Sequence, residues 1–413
     1  MNLKDINQKL KNIKKEDVNS FLIAVLLMAG LISFIINIKN IIPIIILTVL
    51  VIIEITNYKE TIQKIKKKEA LIPNTVIIFF LLIAILYVFS FITHGIKYVI
   101  VDRCLHFVGF LVIPCVCCRH EFNVKKVIDS ILIISTILTI PLFFDNFEKY
   151  DGGTRMSISY YMLPTYISII MSFFIDDDKS MKKIVKKLIY FLIVLYPYNL
   201  FLIKHASRGI YVAIITCISL SVIVKRNLKE KIIIISIIGI IITLGILFFR
   251  PLLTIINDIL TSANITVEAI SKSLKLYNEG QLGNGRDLVY NRAIGGIKEH
   301  PILGNGIGSY AEKYVTYPHN LLLQMWYEGG ILFFILTLGI IIYSIYVLVF
   351  EKHVNVEKKY ILILLTSISI VRLMISYEFW KEISFGIYIY VILNIMQNEI
   401  DRRKNGKCNN PNI

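Results

Sequence analysis

The sequence predicts an all-α, polytopic membrane protein, and three observations predict it. Of 413 residues, 56% are hydrophobic and only 18% charged, with a mean hydropathy of +0.68, too apolar for a water-soluble globule of this length. Apolar runs recur along nearly the whole chain, most near the roughly 20 helical residues that cross about 30 Å of hydrocarbon. Between these runs, basic residues are dense in every second polar segment and sparse in the others.

The runs predict about 12 transmembrane helices, at 20–36, 41–56, 74–92, 98–118, 127–144, 157–175, 188–203, 209–224, 232–249, 321–350, 360–376 and 383–397. The chain reads as a single integral membrane domain, 1–413, with a large external loop, 250–320, between spans 9 and 10. The first run follows a polar, lysine-rich stretch and has no small-residue cleavage site before the next polar turn, so it reads as a retained span.

A formal net charge of +16 raises the question of a nucleic-acid partner, and the distribution of charge answers it. Of 45 Lys and Arg residues, 29 lie in the alternate short segments 1–19, 57–72, 119–126, 176–187, 225–231, 351–359 and 397–413, against 7 in the opposite short loops. That asymmetry is the positive-inside bias. It predicts both termini in the cytoplasm, residues 250–320 outside, and membrane lipids as the partner of the basic residues, with no nucleic acid. None of the six cysteines falls in 250–320, so no disulfide framework is expected there. The run CVCC at Cys115 to Cys118 reads as small apolar packing residues, and the acidic run Asp176 to Asp178 as a solvated turn among lysines.

The stretch GNGIGSYAEKYVTYPHN, 304–320, places Gly304, Gly306 and Gly308 before a Pro-His-Asn. It lacks the strand and helix that flank a dinucleotide-binding glycine run, and the predicted topology puts it where nucleotides are not available. The glycines instead allow a loop to fold closely over His319, whose helix begins after Pro318 and continues through Asn320, Gln324 and Glu328. Just upstream, 283–304 reads as an amphipathic helix opened by a Gly-Asn-Gly turn and ended before Pro301, with Arg286, Tyr290, Ala293 and Ile297 on one stripe.

Arginines then converge on one depth. Arg103 sits near the outer end of the fourth span, Arg155 before the sixth, Arg208 at the outer start of the eighth, and Arg372 in the outer part of the eleventh. Boundary arginines cost several kcal/mol unless partnered and mark functional sites by default, and guanidinium suits bidentate binding of phosphate oxygens. A phosphate or diphosphate headgroup at the outer leaflet, its lipid tail still in the bilayer, is the ligand this pattern predicts. No pair of nearby carboxylates in the external segment supports a metal site, and no cofactor is expected. An imidazole at His319 suits general-base work on a sugar hydroxyl.

With these residues assembled, the chain resembles the bacterial O-antigen ligase and O-antigen polymerase family. The resemblance is carried by RMS at Arg155, SRG at Ser207 to Gly209, GRDLVYNRAIGGIKEHPILGNGIGSY at 285–310 and HNLLLQMWYEGGILFF at 319–334. It implies a multi-span glycosyltransferase of the cytoplasmic (inner) membrane. Such an enzyme passes a glycan from undecaprenyl diphosphate to a saccharide or lipid A-core acceptor in lipopolysaccharide or capsule synthesis, inverting and without metal or cofactor. Carried over, Arg155, Arg208 and Arg286 bind the diphosphate, Arg286 acts also in catalysis, and His319 accepts the acceptor's proton. Arg372 joins the arginine set by its depth. Asn320, Gly304, Gly306, Gly308 and Glu328 support the site. The family places a tryptophan four residues after the loop arginine, where this chain has Tyr290. Ligase and polymerase differ only in acceptor and both stay open. The alternative is a transporter or flippase of lipid-linked saccharides, which would bind through the same arginines without reacting.

Overall fold

The computed structural model describes residues 14–38, 41–67, 69–95, 97–176, 180–280 and 285–408. Asp177, Asp178, Gly283 and Asn284, on which two of the sequence readings partly rest, lie outside them, as do residues 1–13. The described residues are helical with no strand.

In chain order the helices are α1 Lys15–Ile36, α2 Ile41–Lys66, α3 Asn74–His94, α4 Tyr98–Cys117, α5 Val124–Phe143, α6 Gly152–Ile175, α7 Met181–Val194, α8 Tyr196–His205, α9 Arg208–Val224 and α10 Leu228–Leu247. There follow α11 Phe249–Ser262, α12 Glu268–Asn278, α13 Arg286–Glu299, α14 Ser309–Tyr314, α15 Leu321–Val349, α16 over residues 356–375, and α17 Ile383–Cys408. Among the described residues, eight helices are long and apolar enough to cross a membrane, or up to ten if the bent pairs α7 with α8 and α10 with α11 each count as one.

That is fewer than the twelve expected. The shortfall has identifiable sources: α9 is only 17 residues long, and α16 carries Glu357, Lys358, Lys359 and Arg372. The α7–α8 pair turns by 69° and the α10–α11 pair by 79°. The segment 250–320, expected as a loop, is largely four short helices.

The core lies where α1, α5, α6, α9, α16 and α17 pack on one another. Residues such as Ile23, Met28, Ile167, Leu362 and Ile387 are fully buried there, while apolar side chains on the rims of α2, α3, α5 and α10 stay exposed, as lipid-facing surfaces do. Polar groups inside pair with one another. Asn57 donates to Asn19 at 2.9 Å, and Asn19 donates to the carbonyl of Glu121 at 3.0 Å, pinning α1, α2 and the turn before α5.

The segment 250–320 docks on this bundle at several places, including α14 on α4, where Lys97 pairs with Glu312 at 2.9 Å. α12 packs on α8, and α13 packs on the first turns of α15 through a small cluster of Ala293, Ile297, Tyr310 and Tyr327. The stripe read from the sequence is thus the buried face of α13 at Ala293 and Ile297.

Candidate active site

Two short sequence features shape one wall. Asp151 caps α6 by accepting from the Thr154 amide at 2.6 Å, which sets the first turn that carries Arg155. One turn on, the Ser159 hydroxyl accepts from the Ser207 amide at 3.2 Å and fastens the SRG turn to α6. Gly209 lets Tyr160 come close: a Cβ there would stand 2.1 Å from the Tyr160 hydroxyl oxygen, and the ring would have to move. Arg208 therefore begins α9 beside Tyr160, half-buried.

Arg286 arrives from the external segment as the first residue of α13, after Gly285 at φ 78°. It lies within electrostatic reach of Arg208, of Tyr160 and of His319. Among the described residues neither Arg208 nor Arg286 forms an ion pair. Two guanidinium groups near each other without a carboxylate make a site for an anion, since like charges repel unless a ligand compensates them.

His319 stands just before α15 with φ 54°, a left-handed conformation uncommon for a residue with a Cβ. Tyr317 packs on it with ring centroids 4.2 Å apart. Its Nδ1 is buried and has no hydrogen-bond partner among the described residues. Burial, and after it the charge of Arg286, push the imidazole pKa down to about 4, so the ring is neutral and able to take a proton at ordinary pH. Asn320 caps α15, its side-chain oxygen accepting from the Leu323 amide at 3.1 Å.

The remaining sequence-predicted residues divide by partner. Arg155 reaches Glu268 of α12 at 3.4 Å, and Glu268 also faces Nδ1 of His205 at 3.7 Å. Arg372 is buried, pairs with Glu382 at 2.7 Å and lies over the Tyr377 ring at 3.8 Å, with Tyr160 at 5.1 Å. Arg103 pairs with Asp102 at 2.5 Å and with Glu378 at 2.7 Å. Arg103 and Arg372 thus carry their own counter-ions, unlike Arg208 and Arg286.

The glycine stretch makes its contacts away from His319. α15 breaks at Gly330, φ 70° and ψ −169°, and the chain after α13 fills the break. The Asn305 amide donates to the Tyr327 carbonyl at 2.7 Å, the Gly306 amide to the Glu328 carbonyl at 3.0 Å, and the Ile331 amide to the Pro301 carbonyl at 3.0 Å. These bonds satisfy the helix groups that the break frees. The approach is backbone to backbone: a Cβ on Gly330 would stand 1.9 Å from the Ile302 carbonyl oxygen, and one on Gly304 would stand 2.5 Å from the Gly330 nitrogen. Gly306 and Gly308 lie against His94 and Val99 instead. Glu328 accepts from Gln324 at 3.0 Å and from Trp380 at 2.9 Å, which ties the break to the loop before α17.

Tyr160, Tyr317, Glu378 and Glu382 were not singled out from the sequence. The acidic pair had a signal, two carboxylates within a six-residue polar turn following an intramembrane arginine. The tyrosines had none, because aromatic residues are common throughout the chain.

With this geometry in place, comparison with known families adds one finding. A family model described as O-antigen ligase matches residues 189–338. These residues carry an O-antigen ligase family domain. The matched stretch covers Arg208, Arg286, the glycine run, His319, Asn320 and Glu328, whereas Arg155 and Arg372 lie outside it. No curated protein matches the chain. At family level the O-antigen ligase domain indicates glycan transfer of the ligase or polymerase type, with lipid-linked saccharide substrates and a polysaccharide acceptor. It agrees with a multi-pass membrane protein.

Proposed function

We propose that this protein transfers a glycan from undecaprenyl diphosphate to a saccharide acceptor at the outer face of the bacterial cytoplasmic membrane, with inversion at the anomeric carbon and without a metal. The observation that carries the reading is Arg286 within electrostatic reach of both Arg208 and His319, with neither arginine in an ion pair among the described residues and His319 Nδ1 buried without a hydrogen-bond partner.

In this reading the arginines hold the diphosphate while its lipid tail stays in the bilayer. The acceptor hydroxyl attacks C1 of the donor sugar, the bond from C1 to the diphosphate oxygen breaks, and the electron pair leaves with the diphosphate. The hydroxyl proton passes to His319. Charge grows on the leaving diphosphate as the bond lengthens, so the two guanidinium groups stabilise the transition state more than the ground state. Arg155 stands at the rim, exchanging Glu268 for a phosphate oxygen when the donor arrives. Arg372, paired with Glu382, holds Tyr160 and so the SRG turn in place.

The test is glycan transfer by purified protein from an undecaprenyl-diphosphate-linked oligosaccharide, measured alongside donor binding. His319→Ala is expected to lose transfer by about 10²- to 10⁴-fold while keeping donor affinity. Arg286→Ala is expected to lose both. Near-normal transfer by His319→Ala removes the base assignment; if Arg286→Ala then abolishes export of lipid-linked saccharide, the protein is a transporter.

A further inference from the structure

The residues YPHN, 317–320, lead into α15 and set two rings on either side of a proline. Pro318 fixes its own φ and biases Tyr317 toward an extended backbone, so the link between Tyr317 and His319 is short and stiff. The two rings meet with centroids 4.2 Å apart and planes tilted by 46°, a close approach for an aromatic pair.

His319 needs a hold from outside itself. Its φ of 54° is a strained conformation for a residue with a Cβ, and such a conformation persists only where the surroundings over-determine it. A general base is ordinarily oriented by a third group that bonds its second nitrogen, but Nδ1 of His319 is buried and has no such bond among the described residues. The ring of Tyr317 is the contact in its place, and Tyr317 is itself anchored. Its hydroxyl bonds to the side chain of Ser376 at the end of α16. Ser376 is buried, donates through Oγ to Sδ of Met156 on α6 at 3.7 Å, and donates through its amide to the Arg372 carbonyl at 2.7 Å. Met156 follows Arg155 in the chain, so Tyr317 ties the imidazole to the junction of α16 and α6.

We propose that Tyr317 is a positioning residue for the base: its ring, anchored through Ser376, holds the imidazole of His319 in the orientation that takes the acceptor's proton and screens it from water. The proposal rests on the transfer reading and adds to it the group that orients His319. Its consequence reaches the titration of the imidazole. Burial, and after it the charge of Arg286, hold that pKa at about 4 against an ordinary 6.5. Removing the flat ring lets water in, and the value rises toward 6.5 while Arg286 stays in place.

The experiment compares Tyr317→Leu, which keeps bulk and loses the flat ring, with Tyr317→Phe, which keeps the ring. Tyr317→Leu is expected to lower kcat by about 10- to 100-fold with the donor KM unchanged, and to move the acid midpoint of kcat/KM upward from about 4. Tyr317→Phe is expected to recover most of the rate and keep the low midpoint. Nuclear magnetic resonance of the histidine-labelled full-length protein, with His319→Ala identifying the signal, follows the same titration without any transfer. An imidazole midpoint that does not move in Tyr317→Leu overturns the proposal, as does an equal loss of rate in Tyr317→Phe. Normal transfer by Tyr317→Leu beside an inactive His319→Ala overturns the positioning role and leaves the transfer reading standing, whereas near-normal transfer by His319→Ala removes both. Should Tyr317→Leu fail to fold, Tyr317→Met, flexible and without a ring, takes its place with the same expectations.

Discussion

His319 concentrates the functional argument at the scale of single residues. Its pKa of about 4 lies below the ordinary 6.5, so protonation favours the unfolded chain over the native one. Any stability linked to this group is present above about pH 6.5 and is lost as pH falls toward 4. If His319 is the base, the acid limb of kcat/KM tracks the folded value: the rate stays level from pH 7 to about 5 and drops below that. A midpoint near 6.5 would mean that another group is titrating. The arginines separate by a different measurement. Arg372→Ala leaves Glu382 buried without its partner and is expected to cost about 3–5 kcal/mol of stability, seen as loss of folded protein. Arg208→Ala, which breaks no ion pair among the described residues, is expected to leave the melting temperature nearly unchanged and weaken donor binding. Equal loss of fold in both would remove the distinction between paired and ligand-binding arginines.

Among the elements, the broken helix α15 decides how the external segment is placed. Gly330 needs a left-handed backbone, and a methyl group there would collide with the Ile302 carbonyl. Gly330→Ala is therefore expected to destabilise the docking of 301–308 by about 1–3 kcal/mol through strain and overpacking. Proteolysis within 301–308 should become faster, while cleavage elsewhere is unaffected. Unchanged protection of that segment would show that the break does not hold it. Gly209→Ala acts on the other wall by pushing Tyr160 away, and should lower transfer without exposing 301–308 to protease.

On the scale of the whole molecule, two sides of the membrane carry different chemistry. The proposed transfer site and the α11 to α14 segment gather at one end, and the lysine-rich ends of α5 and α7 at the other. Lys298→Cys, in α13, is expected to react with a membrane-impermeant thiol reagent added to the outside of intact cells. Reaction only after the cytoplasmic face is opened would reverse the orientation and with it the proposed reaction.

What the sequence determined by itself was the all-helical, membrane-spanning class, because hydrocarbon demands long apolar runs that satisfy their own backbone hydrogen bonds. It also placed a helix in 283–304, found at Arg286–Glu299, since turn glycines are local signals; the expectation that the helix of α15 begins directly after Pro318 is corrected, because His319 is left-handed and Asn320 caps a helix that starts at Leu321. The family resemblance was legible in the second half of the chain for the same reason, its motifs being short and contiguous. The tertiary structure decided matters that depend on distant partners. Among the converging arginines, Arg103 and Arg372 find Glu378 and Glu382, while Arg208 and Arg286 find each other. Gly304 answers a helix break more than twenty residues further along while Gly306 and Gly308 answer His94 and Val99, and the number of long apolar spans falls because α7 with α8 and α10 with α11 bend. Hydropathy averages over a window and records neither a bend nor a counter-ion; both arise only when helices remote in sequence pack side by side.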